Sequence, residues 1–183
     1  MRKVVAYMLV SVDGVAEAPD QFVLHFDEVM EANLGDIIGT QDTVLLGRHM
    51  YDEWSTYWPT ADDQPFADFI NNVQKYVATS APLTTPWTNA EPIAGPVEDF
   101  VRELKSGDGG DIGVHGSISL TQSLLAAGLV DVLRLLVAPR VAGSGRRLFE
   151  DDVVHSLKLV QSTGSPTGSL LVHYHVVGSV SRS

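Results

Sequence analysis

Gly47-Arg48-His49 closes the apolar run TVLL and puts a permanent cation where a strand would give way to a helix. Glycine lets the backbone come close to a ligand, and a helix starting there offers unpaired N–H groups. The Arg48 guanidinium is a planar fork that matches a phosphate monoester. Taken alone, Arg48 reads equally well as a surface residue paired with Asp52 or Glu53. Thr79-Ser80 ends the stretch KYVATS, and its hydroxyls suit a phosphate or a ribose; a turn before Pro82 is the simpler reading. Gly116-Ser117 ends GVHGS immediately before a helical run, a geometry that aims N–H groups at an anion. It is not a full GxGxxG fingerprint, and a tight strand–helix turn needs glycine in any case.

Other clusters carry less. His173 and His175 alternate on one strand face with no third metal ligand in sight, so an exposed polar face is the better reading and no metal is expected. Gly143 to Arg147, GSGRR, suits either an anion nest or a turn with solvated arginines. No GxSxG turn occurs, which leaves a hydrolase triad without support. Asp27 and Glu31, one helical turn apart, read first as a solvated face.

The net charge of −11 excludes non-specific binding to nucleic acid or to anionic membranes, so any anion must be held by a local device. The chain has no cysteine, which rules out disulfides and thiolate chemistry and fits a cytoplasmic location. The start MRKVVAYMLVSVDG superficially resembles a leader, but its short apolar run ending in Asp13-Gly14 reads better as a buried strand. No apolar stretch approaches the roughly 20 residues of a spanning helix.

The elements that must place these residues follow from periodicity. Strands are expected at 3–12, at TVLLG, at KYVATS, weakly at EPIAG, at DIGVHG and at VDVLRLLVAP, then near 157–162 and 169–178. Helices are expected from Phe22 to Ile38, after Pro65, after Pro96, and beyond Ser117, where Ser117 and Ser119 offer N-caps. Strands alternate with helices to about residue 138, and strands then follow strands. The expectation is one α/β domain over 1–183, with a mixed, mostly parallel sheet, helices on both faces and a C-terminal antiparallel hairpin. Ligands bind such sheets beyond the carboxyl ends of the strands.

In this order, SVDG (11–14), LLGRHMYDEW (45–54), IGVHGS (112–117), LLAAGLVDVLRLLVAPRVAGSGRRLF (124–149) and the final strand pair resemble the dihydrofolate reductase fold. More narrowly, they resemble the reductase domain of the bacterial riboflavin-biosynthesis enzyme and its stand-alone relatives, over nearly the whole chain. The resemblance implies an NADPH-dependent reductase with a three-layer fold. Gly47, Arg48 and His49 then match the segment that holds the 2′-phosphate, Thr79 and Ser80 flank the adenosine, and Gly116 and Ser117 meet the pyrophosphate. Ser11 and Asp13 lie where nicotinamide and substrate meet, with Asp13 a candidate to orient substrate or relay a proton. Trp54 and Trp58 are candidate walls of the substrate pocket. Met50 stands where the family commonly carries a hydroxyl residue. No acid of the first helix falls in the dihydrofolate reductase context, and no cysteine serves a zinc deaminase domain. The expected substrate is therefore small and polar rather than dihydrofolate. A true dihydrofolate reductase and an NADPH-binding protein without turnover are the alternatives, and a homodimer is a possible assembly.

Overall fold

The structure is a computed structural model, and it describes residues 1–150 and 153–181. Eight strands form one sheet in the order β4-β3-β2-β5-β1-β6-β8-β7. In chain order they are β1 (Val4–Val10), β2 (Gln41–Gly47), β3 (Gln74–Ala78), β4 (Ala90–Pro92), β5 (Asp111–His115), β6 (Val132–Val137), β7 (Val153–Gly164) and β8 (Leu170–Ser181). The first six pair in parallel, while β8 runs antiparallel to both β6 and β7. The helices are α1 (Glu28–Ile38), α2 (Arg48–Tyr57), α3 (Phe66–Asn72), α4 (Val97–Ser106) and α5 (Ile118–Ala126).

The order of connections explains the two helical layers. From β1 the chain steps outward to β2, β3 and β4, and then returns to β5 and β6. Right-handed crossovers in opposite directions must lie on opposite faces. Accordingly α1, α2 and α3 bring Met30, Leu34, Ile37, Tyr51, Phe66 and Ile70 onto Val5, Tyr7, Val44 and Leu46. On the other face, α4 and α5 bring Val101, Leu120, Leu124 and Leu125 onto Val4, Ala6, Leu45 and Ile112. Strands covered on both sides must be apolar at every position, and the burial of β1 shows it. At the far edge of the sheet, ion pairs Arg2–Asp42 and Lys105–Asp131 fasten the start of the chain and the end of α4.

Two sequence expectations are corrected. The first helix begins at Glu28 rather than Phe22, because the Asp27 carboxylate accepts from the N–H groups of Val29 and Met30 and fixes the N-terminus there. Phe22 belongs instead to a loop cluster with Val15 and Ala138. Ser117 occupies the N-cap of α5 but makes no side-chain cap, since its hydroxyl is engaged elsewhere. Among the described residues no helix is long and apolar enough to cross a membrane.

Polar residues interrupt the inner face in one row. Tyr7 pairs in register with His115 on β5 and with Arg134 on β6, and Arg134 pairs with His173 on β8. Arg134 Nη1 lies 2.9 Å from His173 Nδ1. His115 is 1% exposed, and burial pushes its imidazole down to about 3, so it is neutral when folded. The unfolded chain takes up a proton below the ordinary value of 6.5, so the group favours unfolding as pH falls from 6.5 towards 3. Denaturant titrations across that window should show stability falling, with His115 contributing on the order of a few kcal/mol. His115→Leu should flatten the slope; an unchanged slope would mean that the imidazole does not titrate as its burial dictates.

Candidate active site

The carboxyl ends of β3, β2, β5 and β1 lie side by side, and each carries one of the polar segments noted above. At the centre, Gly47 N–H donates to Ser117 Oγ at 2.9 Å, and that hydroxyl donates to His115 O at 3.3 Å. One serine thus ties the ends of β2 and β5 together. It also brings together the N-termini of α2 and α5, neither of which has a side-chain cap. Two sets of unpaired N–H groups with the positive ends of two helix dipoles make an anion cradle. Gly116 turns the chain into α5 at φ +63°, where a side chain is strained. A Cβ there would lie 3.2 Å from Met50 Sδ and 3.4 Å from Trp54 Cζ2. The absent hydroxyl at position 50 is thereby explained: Met50 packs on the glycine turn.

Arg48 makes the ion pair with Asp52 that its sequence context allowed, and it also reaches the loop after β3. Nε donates to Asp52 at 2.8 and 2.9 Å, while Nη1 reaches Thr79 Oγ1 at 3.3 Å, Ala81 O at 3.3 Å and Pro82 O at 3.0 Å. The guanidinium is therefore held across the ends of β2 and β3, and its Nη2 has no protein acceptor among the described residues. Thr79 also forms a turn with Ala81, as the simpler reading had it, and Ser80 is exposed beside it.

His49 is not brought in. Its side chain is 84% exposed and lies 3.3 Å from Glu53, on the outer face of α2, so only its backbone N–H can serve the cradle. Ser11 is 1% exposed, and its hydroxyl is consumed within its own loop, donating to Asp13 at 2.6 Å and accepting from Val15 N–H at 3.0 Å. Direct substrate contact through that hydroxyl does not fit this arrangement. Asp13 accepts from Ser11, from Ala142 N–H at 2.9 Å and from Gly143 N–H at 2.8 Å. These bonds, that of Ser11 foremost, hold its carboxyl well below the usual carboxylate range. A carboxylate kept ionised by three donors is a poor proton carrier; here it latches the loop after β1 to the glycine-rich loop after β6. The bridge Val15–Arg147 and the bonds Ala16 N–H to Arg146 O and Leu148 N–H to Gly14 O extend that seam. GSGRR is thus a docked loop, with Arg146 Nη2 3.1 Å from Ser119 Oγ and Arg147 Nε 3.1 Å from Asp13 O.

Trp54, in α2, and Trp58, at its C-cap, belong to an aromatic group with Phe66, Phe69 and His115. Glu31 is exposed, as a solvated face requires, whereas Asp27 departs from that reading: it caps α1 and accepts from Thr167 N–H at 3.1 Å and Thr167 Oγ1 at 2.7 Å. Burial works to raise the Asp27 carboxyl, but bonds from Thr167 and Met30 outweigh it and bring it to about 2. His173 and His175 sit 5.5 Å apart between ring centroids, and His173 is taken by Arg134.

The RibD C-terminal domain model matches residues 2–171. The chain belongs to that family. Among its relatives is the uncharacterized protein YyaP of Bacillus subtilis, 29% identical over 181 residues and covering 95% of each chain. A putative riboflavin biosynthesis protein from Shewanella shares the fold at TM-score 0.77, with 14% identity over 96% of this chain and 99% of that one. Dihydrofolate reductase from Enterococcus faecalis, solved with NADP(H) and RAB-propyl, matches at TM-score 0.60, with 15% identity over 95% of this chain and 96% of that one. The sheet order with its antiparallel end is the mixed sheet expected from the strand pattern, and it has the dihydrofolate reductase-like architecture that the resemblance implied.

The latch carries its own test. Asp13→Asn removes the charge that the Ala142 and Gly143 amides address. Hydrogen exchange at these two amides should accelerate while strands β1 and β6 stay protected; unchanged exchange would show that the loops are held without it.

Proposed function

We propose that this protein is an NADPH-dependent reductase of the riboflavin-biosynthesis type, delivering hydride to a C=N or C=O group of a small polar substrate. The observation that carries the reading is the pair of uncapped helix N-termini joined through Gly47 and Ser117, with the Arg48 fork beside them. A dinucleotide phosphate needs donors for a diphosphate and a separate cation for its 2′-phosphate, and this edge has both. Gly116 and Ser117, with the first N–H groups of α2 and α5, would hold the diphosphate, and the bond from Gly47 to Ser117 would keep the two helix starts together. Arg48 would take the 2′-phosphate with its free Nη2, with Thr79 and Ser80 flanking the adenosine. The nicotinamide, when bound, supplies the hydride.

The chain's own contribution is placement. The loop latched by Asp13 lies next to β1, where it orients the substrate and limits water. Trp54 and Trp58 offer an apolar wall. The family match favours a pyrimidine-type substrate over dihydrofolate. Assay against dihydrofolate separates these two, and NADPH binding without turnover of any substrate marks the non-catalytic alternative. A cysteine-free chain suits the cytoplasm. A homodimer would form through the β7–β8 hairpin, where Val154, Leu159, Val160 and Val177 are exposed.

Arg48→Ala should weaken NADPH binding by about ten- to a hundredfold, as expected for loss of a charge-assisted bond, and leave NADH almost unaffected. Equal loss for both nucleotides would remove the 2′-phosphate role. In turnover, Asp13→Asn should lower kcat with little change in nucleotide affinity, and unaltered kcat would take Asp13 out of the mechanism.

A further inference from the structure

A cation without a counter-ion sits on the α1 face of the sheet. Arg134 is half-buried in the middle of β6, and burial works against its charge. Its one hydrogen bond runs from Nη1 to His173 Nδ1, a neutral acceptor, at 2.9 Å. Among the described residues no carboxylate comes within ion-pair distance of it. Nε and Nη2 make no protein hydrogen bond, and neither is enclosed, so both open to the surface. Arg2, Arg48 and Lys105, by contrast, each hold an aspartate.

The strands beside Arg134 add positive groups and no acid. Pairing sets Arg134 beside His173 on β8, and His173 beside Gln161 on β7. Two residues further along β8, on the same face, His175 pairs with Lys158. The register shift between Leu159 and Gln161 is what lets Lys158 and Gln161 face the same side. The rings of His173 and His175 lie 5.5 Å apart, and His175 and Lys158 are exposed. β6, β7 and β8 contain no aspartate or glutamate. On β1, Tyr7 is kept neutral by burial, and Lys3 adds a further positive charge near His173. The acid that acts on Arg134 is Asp36 of α1, which is exposed and beyond ion-pair distance.

This imbalance has a direct chemical reading. His173 is held below its ordinary value by burial first, and then by Arg134, His175 and Lys3. Protonated, it could no longer accept from Arg134, and two cations would face each other unless an anion lay between them. An arginine fork engages two oxygens of an oxyanion. A carboxylate has no more to offer, whereas a phosphate keeps oxygens for the His175 imidazole and the Lys158 ammonium.

We propose that Arg134, His175 and Lys158 bind a doubly charged tetrahedral oxyanion, phosphate or a phosphate monoester, on this face, with His173 orienting the guanidinium. The site is independent of the reductase reading, because it lies at mid-strand rather than at the carboxyl ends. By joining β6, β8 and β7, the anion clips the C-terminal hairpin to the body of the sheet.

The test uses the intact protein and follows its histidine ring resonances by NMR. Sulfate serves as the probe because its own charge does not change near neutrality. It should shift the rings of His173 and His175 saturably and leave His25 unmoved, whereas chloride at equal ionic strength should do neither. Binding should tighten as pH falls from about 8 to about 6, because imidazole gains charge over that range. Arg134→Met should weaken sulfate about tenfold to a hundredfold, as expected for loss of charge-assisted bonds, and Arg48→Ala should leave it unchanged. Should Arg134→Met fail to fold, Lys158→Glu, at an exposed position, decides in the same way. Inorganic phosphate and glycerol 3-phosphate, compared at one pH, separate the two sources, and saturable binding of either at these rings supports the site. No saturable shift, an equal effect of chloride, an affinity indifferent to pH or an unchanged affinity in the Arg134 and Lys158 variants overturns the proposal. Loss of the shift in Arg48→Ala overturns it as well, since the anion would then sit at the carboxyl edge.

Discussion

The hydrogen bond from Gly47 N–H to the Ser117 hydroxyl is the joint around which the carboxyl edge of the sheet is organised. Strands β2 and β5 are neighbours in space but 70 residues apart in sequence, and the loops that leave them start α2 and α5. Parallel pairing alone fixes the strands. It does not fix the direction in which each chain leaves the sheet. By accepting from one strand end and donating to the other, Ser117 holds both exits at hydrogen-bond distance, and the two helices then open towards the same space. Because the serine is spent on that joint, α5 has no side-chain cap, and its first N–H groups stay available. The uncapped helix starts are a by-product of how the strand ends are tied.

The distribution of positive charge follows the same economy of position. The chain has only 12 lysines and arginines against 23 acids. Arg2, Lys75 and Lys105 are buried, holding respectively Asp42, the carbonyls of Ile70 and Val73, and Asp131. Arg48, Arg140, Arg146 and Arg147 all project from loops or helix starts at the carboxyl edge. Four of the 12 cations are thus gathered at the edge where a phosphate would approach, in a protein whose net charge of −11 otherwise repels it.

Much of this was legible in the sequence, for reasons that particular residues make clear. Strands apolar on both faces announced a covered parallel sheet, and Gly47, Thr79 and Gly116 punctuated its ends where loops must begin. The antiparallel finish followed from consecutive strands with no helix between them. What was not legible depended on orientation. Sequence places His49 next to Arg48, yet the two lie about 100° apart around α2, so one faces β3 and the other faces solvent. Ser11 looked like a ligand contact because nothing in the sequence says that its hydroxyl closes on Asp13 and Val15. The Asp27 cap was hidden because Phe22 and Phe26 extend the apolar periodicity beyond the true helix start. The unpartnered polar atoms of Tyr7, His115 and Trp58 were not foreseen because these residues occupy positions where core is expected. A histidine closing an otherwise apolar buried strand was the one signal that could have drawn attention to them.

The C-terminal hairpin has an electrical consequence. From Val153 to Ser181 there is no aspartate or glutamate, so all 23 acids lie in the preceding part of the chain. The molecule is therefore polar in the electrostatic sense, with a strongly negative body and a nearly neutral end formed by β7 and β8. When two copies drift together, their bodies repel, and the torque turns the neutral ends towards each other before any contact is made. Salt shortens the range of that torque to about 8 Å at physiological ionic strength. The stretch without acids is thus the side on which two like-charged copies would repel each other least.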